Sequence, residues 1–256
     1  MEIAESTDPG KKRSHNEDSL IVDERRGIFI VADGMGGHLS GEIASRMAVE
    51  VAYDYLSRNI ANNTKPKDIL RLLKTALNKA HKAVKISSDG DATLKGMGTT
   101  LVIMIIMDDS AFIAHAGDSR AYIIRDDEIK QITTDHSLGN YLMINKKLPK
   151  EKVPARAWHT ITQAVGVSIK FQPQLRKKSL EKNDVLLLCS DGLTDMLRDD
   201  EIKTLVVNNR EDDFEKISDL LVEAANRKGG RDNISVVLVK HGVSQIGSFW
   251  RTSLSF

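Results

Sequence analysis

The sequence predicts an α+β fold in which antiparallel sheets carry helices on their outer faces. Three observations predict it. Short β-branched and aromatic runs recur along the 256 residues. Two amphipathic helices follow the second run, and then several strands come in succession with no helix between them, whereas a parallel sheet would alternate. The stretch TTLVIMIIM, 99–107, is apolar almost throughout, as a strand covered on both faces must be.

In chain order, residues 19–22 and 28–32 are short strands around a turn at 24–27. Gly34, Gly36 and Gly37 then free the backbone or admit a close neighbour, and are expected to end the second strand at Ala32. Ala44, Met47, Ala48, Val51, Ala52 and Tyr55 recur at helical spacing, as do Ile69, Leu72, Leu73, Ala76, Leu77, Ala80 and Val84. After the apolar strand, 111–116 and 121–125 flank GDSR as a hairpin would. Strands are expected at 185–189 and 234–239, with a third apolar helical stripe from Phe214 to Ala225 between them.

Residues 136–160 break the pattern with Pro149, Pro154 and the cations Lys146, Lys147, Lys150, Lys152 and Arg156. Two readings stand: a solvated surface segment, or a mobile flap beside a site for an anionic substrate. The predicted organisation is one domain over 1–242 with that excursion, then a tail over 243–256.

Bulk composition narrows the function. A formal net charge of +1 carries no nucleic-acid footprint. Cys189 is the single cysteine, which excludes an intrachain disulfide and a thiolate metal cluster. No leader-like stretch and no run near about 20 apolar residues occurs. A cytoplasmic monomer without nucleic-acid or membrane partners is the expectation. Neither a dinucleotide fingerprint nor a phosphate-cradling Walker loop is present.

The informative feature is where the carboxylates fall. Asp33 follows one strand and Asp191 another, each with glycine next. Asp118 follows a third strand, Asp232 precedes the last, and Glu17 and Asp18 open the first. Singly, each reads as a turn or cap residue. Together they would repel one another and raise one another's pKa unless a cation joins them. Arg13, Arg120 and Arg231 lie close in sequence but do not account for the glycines beside Asp33. A hard divalent cation does, since Mg²⁺ and Mn²⁺ prefer oxygen, and the Gly34 carbonyl can itself be a ligand. Two such ions about 3.5–4 Å apart share a water and lower its pKa, arming it against a phosphate ester. Arg13 suits bidentate contact with that phosphate. Read locally, it is one of the solvated cations of Lys11–Lys12–Arg13.

The motifs RSHNEDS (13–19), VADGMGGH (31–38), GTT (98–100), AGDSRAY (116–122), TDHS (134–137), CSDGLTD (189–195) and GGRDNIS (229–235) resemble, in order and spacing, the type 2C metal-dependent serine/threonine protein phosphatases, in their bacterial wording. The resemblance spans roughly residues 10–240. It implies a four-layer α-β-β-α sandwich. It implies two core Mn²⁺ or Mg²⁺ ions bridged by Asp33, with the Gly34 carbonyl on one and Asp191 and Asp232 on the other. Glu17 and Asp18 would act through metal-bound waters, and Asp118 would help hold a third ion. Arg13 would bind the substrate phosphate and Asn233 would support the metal-bound water. The segment from Asp135 to about Thr160 would be the flap that helps choose substrates. The implied partners are phosphorylated proteins and a serine/threonine kinase whose work the enzyme opposes.

Met35 stands where many relatives carry a histidine proposed as acid for the leaving alkoxide, and a thioether cannot donate a proton. His38 or a metal-bound water would take that role. Two other classes compete with the enzyme: a catalytically silent phosphoprotein-binding module of the same fold, and a sheet with structural Ca²⁺ sites. The complete carboxylate set speaks against the first, and the wide sequence separation of Asp33 and Asp191 against the second.

Overall fold

The computed structural model describes residues 1–36, 40–61, 63–211 and 213–242. Its strands are β1 (Glu2–Asp8), β2 (Asp18–Asp23), β3 (Ile28–Met35), β4 (Gly98–Thr99), β5 (Leu101–Met107), β6 (Ser110–Ala116), β7 (Arg120–Arg125), β8 (Glu128–Gln131), β9 (Gln174–Ser179), β10 (Val185–Cys189) and β11 (Ile234–Lys240). The helices are α1 (Ser40–Asn59), α2 (Pro66–Gly90), α3 (Leu138–Asn145), α4 (Ala155–Trp158), α5 (Asp191–Thr194), α6 (Asp199–Asn209) and α7 (Ile217–Arg227). One sheet runs β1-β11-β10-β7-β8; the other runs β2-β3-β5-β6-β9, with β4 beside β3. The recorded strand pairings are antiparallel, as expected.

The pleat explains the layers. On β3, Ile28, Ile30 and Ala32 join α1 and α2 in one core, while Phe29 and Val31 face the other sheet. On β5, Leu101, Ile103 and Ile105 face the helices, and Val102, Met104 and Ile106 face inward. Both faces are covered, so the strand reads as an unbroken apolar run. Leu187, Val236 and Leu238 meet Leu221 and Ile202 on the opposite outer face. Each fully buried Leu or Ile contributes about 1.5–3 kcal/mol. The result is the α-β-β-α sandwich.

Two local expectations fail. The strand does not stop at Ala32: β3 runs on through Asp33 and Gly34 to Met35 and pairs with β4, Gly34 opposite Thr99. Gly34 is needed for space, not for an unusual backbone, because a Cβ there would strike the Gly41 and Glu17 carbonyl oxygens. Nor do β6 and β7 form a hairpin. The first pairs with β5 and β9 and the second with β10 and β8, so GDSR carries the chain from one sheet to the other. Gly117, at φ +111° and packed on Thr100, makes that step.

Residues 137–162 form a closed excursion. Its roots join through Leu138 N–H to Thr160 O (2.8 Å) and Thr162 N–H to His136 O (2.7 Å). Inside it, Trp158 of α4 packs on Gly139 of α3. The segment from Val243 lies outside the described residues.

Candidate active site

The sheets present their strand ends together at one end of the sandwich. Asp18 opens β2 directly opposite Asp33 on β3. Asp118 sits in the crossover between the sheets, Asp191 just after β10, and Asp232 just before β11. Asp18 and Asp232, more than two hundred positions apart in the chain, thus both lie close enough to Asp33 to raise its pKa.

Asp33 is fixed through its main chain. Its N–H donates to Thr100 Oγ1 (2.9 Å), and its carbonyl accepts from Thr100 N–H (2.8 Å) and Thr99 Oγ1 (2.8 Å). Thr100 Oγ1 also meets Ser119 Oγ at 2.6 Å, tying Asp33 to the Asp118 crossover. The GTT motif, uninformative as a string, is therefore the bracket of this carboxylate. Asp18 Oδ2 accepts from Ser190 Oγ (2.7 Å), and Ser190 Oγ accepts from Ser235 N–H (2.9 Å). Ser190, next to Asp191 in sequence, thereby holds Asp18 and is itself held by the Ser235 main chain, three residues after Asp232.

The Glu17 carboxylate lies against Gly41 at the start of α1, where the helix dipole favours negative charge. Arg13 Nη2 donates to Asp232 Oδ2 at 2.7 Å, with about half of its side chain exposed (52%). Asn233 has another task than the one the resemblance implies. Its Oδ1 accepts Glu17 N–H (2.8 Å), and its Nδ2 donates to the carbonyls of Pro9 (2.9 Å) and His15 (2.8 Å). Both amide hydrogens are taken, so Asn233 pins the Arg13–Asp18 segment and has none to give a water. His38 lies outside the described residues.

The electrostatics show what the carboxylates lack. Asp33 is partly open to solvent yet closely surrounded by protein. Burial, then Asp18, Asp191, Asp118 and Asp232, hold it well above the ordinary carboxylate range. Burial pushes Asp191 up to about 8, with Asp118, Asp195 and Asp232 adding to it. Burial likewise lifts Asp18 and Asp118 to about 6 each, and it raises Glu17. Asp195 was not singled out from sequence, although CSDGLTD contains it; it raises both Asp118 and Asp191. Burial keeps Cys189 protonated, its thiol pushed up to about 12.

Among the described residues, Asp18 Oδ1, Asp118 Oδ1 and Asp191 Oδ1 are buried with no hydrogen-bond partner. Buried acceptors are ordinarily satisfied, and an all-oxygen donor set of this charge fits hard divalent cations. No three described Asp, Glu, His or Cys side chains close around a single point. An ion here therefore fits as Mg²⁺ usually does, on one or two carboxylates with several waters retained.

The chain matches the family described as Protein phosphatase 2C over residues 10–238. It is 36% identical over 245 residues to the serine/threonine phosphatase stp of Listeria innocua, covering 94% of this chain and 96% of that one. It is 38% identical over 245 residues to the protein phosphatase PhpP of Streptococcus pneumoniae, covering 93% and 97%. The structure of the S. agalactiae serine/threonine phosphatase superposes with a TM-score of 0.84 at 34% identity, covering 93% and 98%. The catalytic domain of the serine/threonine protein phosphatase PstP, solved in complex with two manganese ions, superposes with a TM-score of 0.79 at 31% identity, covering 93% and 96%.

Proposed function

The chain belongs to the protein phosphatase 2C family and is a metal-dependent serine/threonine protein phosphatase, and we propose that Asp33, the Gly34 carbonyl, Asp191 and Asp232 hold its two core cations, Mn²⁺ or Mg²⁺. The observation that carries this assignment is the crowding of Asp33 by Asp18, Asp191, Asp118 and Asp232 at converging strand ends, with Asp191 Oδ1 buried and unpartnered among the described residues. Held by these residues, divalent cations would supply the activation of water that direct hydrolysis of a phosphate ester needs.

The chain's own residues do the rest. Thr99 and Thr100 fix Asp33, and Ser190 fixes Asp18, so the donors are set before substrate arrives. Arg13 presents a half-exposed guanidinium beside Asp232, where its planar fork binds the phosphate of phosphoserine or phosphothreonine and orients it. Asn233 keeps Arg13, Glu17 and Asp18 in register. Asp118, with Asp195 beside it, is the place for a third ion. His38 remains a candidate donor of the proton that the leaving seryl or threonyl oxygen needs, with solvent as the alternative. Cys189 is a buried thiol and takes no nucleophilic part.

The substrates are phosphoproteins. We also infer that the 136–160 excursion is the substrate-choosing flap and that the enzyme opposes a serine/threonine kinase as a cytoplasmic monomer. No described helix is long and apolar enough to cross a membrane. The test is hydrolysis of an aryl phosphate by purified protein with Mn²⁺, with chelator, and in Asp33→Ala and Asp191→Ala. Turnover that needs the metal and disappears in both variants is expected; turnover surviving chelation would overturn the assignment.

A further inference from the structure

A groove of about 700 Å³ opens between α3 and the start of β9, and nothing in the phosphate chemistry uses it. One wall is α3, whose Tyr141 and Ile144, three residues apart and so on one side of the helix, are 44% and 48% exposed. Gln163, Gln172 and Gln174 face them. Exposed aromatic and aliphatic side chains set among amides suit a polypeptide, which offers both apolar and hydrogen-bonding surface.

The neighbouring strand is bare on one side. β9 ends its sheet and pairs with β6 alone. Leu180 N–H donates to Asp109 O across that ladder (2.9 Å), so in the antiparallel alternation Leu175 and Lys177 turn their backbone groups outward. The Leu175 carbonyl is covered by the Arg176 Nη1 (3.1 Å). The Leu175 N–H and both groups of Lys177 have no recorded partner among the described residues. Such an edge accepts an extended strand.

Charge selects which strand. Lys146 and Lys147 follow α3. Lys170 lies where its carbonyl accepts from Gln163 Nε2 (3.1 Å), and Arg176 is two residues beyond Gln174. Among the described residues none of the four forms an ion pair, while the one carboxylate in the groove, Asp135, is held by Arg120 (2.7 Å) and Gln131 (2.7 Å). Unpaired cations here repel a basic strand and favour an acidic one. The groove also adjoins the carboxylates: His136, which lines it, accepts Gly117 N–H at Nδ1 (3.2 Å), one residue before Asp118.

We propose that this groove docks an acidic, extended segment of the phosphoprotein substrate, beside the phosphate centre and separate from it. The proposal rests on the phosphatase reading. The experiment compares three phosphopeptides that share one phosphothreonine but carry acidic, neutral or basic flanking segments, with an aryl phosphate as reference. Binding of the unphosphorylated acidic peptide is followed in parallel by fluorescence anisotropy. In the unaltered enzyme KM is expected to be roughly tenfold lower for the acidic than for the basic peptide. Anisotropy binding is expected to vanish near about 0.5 M salt. The double change Lys170→Glu with Arg176→Glu, and separately Lys170→Gln with Arg176→Gln, should erase the preference while leaving kcat and aryl phosphate hydrolysis unchanged. Equal KM across the three peptides, or a preference that survives both variants, overturns the groove. Failure to hydrolyse aryl phosphate at all overturns the phosphatase reading instead, and the anisotropy measurement still decides the groove.

Discussion

Ser190 and Thr100 touch no substrate in the mechanism above, yet the first holds the Asp18 carboxylate and the second the Asp33 main chain. Replacing Ser190 by Ala leaves Asp18 Oδ2 without its 2.7 Å donor. Loss of a supporting hydrogen bond of this kind typically lowers metal affinity about 10- to 100-fold. Isothermal titration with Mn²⁺ should show that weakening in Ser190→Ala and in Thr100→Val, with the fold intact by circular dichroism. Arg13→Ala should act differently. Mn²⁺ binding should change little, while KM for a phosphopeptide rises and inorganic phosphate inhibits less, because Arg13 is placed to meet phosphate. At this scale the sequence was legible where a residue type announces its chemistry, as at Asp33, Asp191 and Asp232. It was mute where an ordinary hydroxyl matters only through its neighbour. Asn233 shows the same limit, since its seven-residue motif cannot reveal that its amide is spent on the carbonyls of Pro9 and His15.

Strands β3, β5, β10 and β11 were legible because burial on both faces writes a continuous apolar run. Strands β1, β8 and β9 went unseen because they are short or polar edges whose identity depends on a distant partner. The supposed hairpin at GDSR failed for a related reason: two adjacent strands look alike whether they pair with each other or with separate sheets. The end of β3 yields a sharp test. Gly34→Ala would drive a methyl group into the Gly41 and Glu17 carbonyl oxygens, which cannot move without shifting α1 or β2. Overpacking of this kind costs about 1–3 kcal/mol. Thermal unfolding should record the loss, and metal binding should weaken along with it. In the helix layer, Leu77→Ala removes a fully buried side chain and should cost about 2–5 kcal/mol in a denaturant titration with no effect on metal affinity.

For the molecule as a whole, the crowded carboxylates set how stability responds to pH. Asp18 and Asp118 at about 6 and Asp191 at about 8 lie above the ordinary aspartate value. The folded protein therefore holds protons that the unfolded chain has released, and stability falls as pH rises from the unfolded aspartate value through these folded ones. With chelator present, the melting temperature should drop between about pH 4 and pH 8. Saturating Mn²⁺, which binds only the deprotonated ligands, should flatten or reverse that slope. An unchanged slope with metal would mean that the ion binds elsewhere. The pairing of β1 with β11, Glu2 opposite Lys240, carries a last consequence. Among the described strands β1 has no neighbour but β11, more than two hundred residues further along the chain, and β11 follows directly on Asp232. A nascent polypeptide that lacks β11 is consequently unable to act on phosphoproteins, because its first sheet has an open seam and its carboxylate set is short of Asp232.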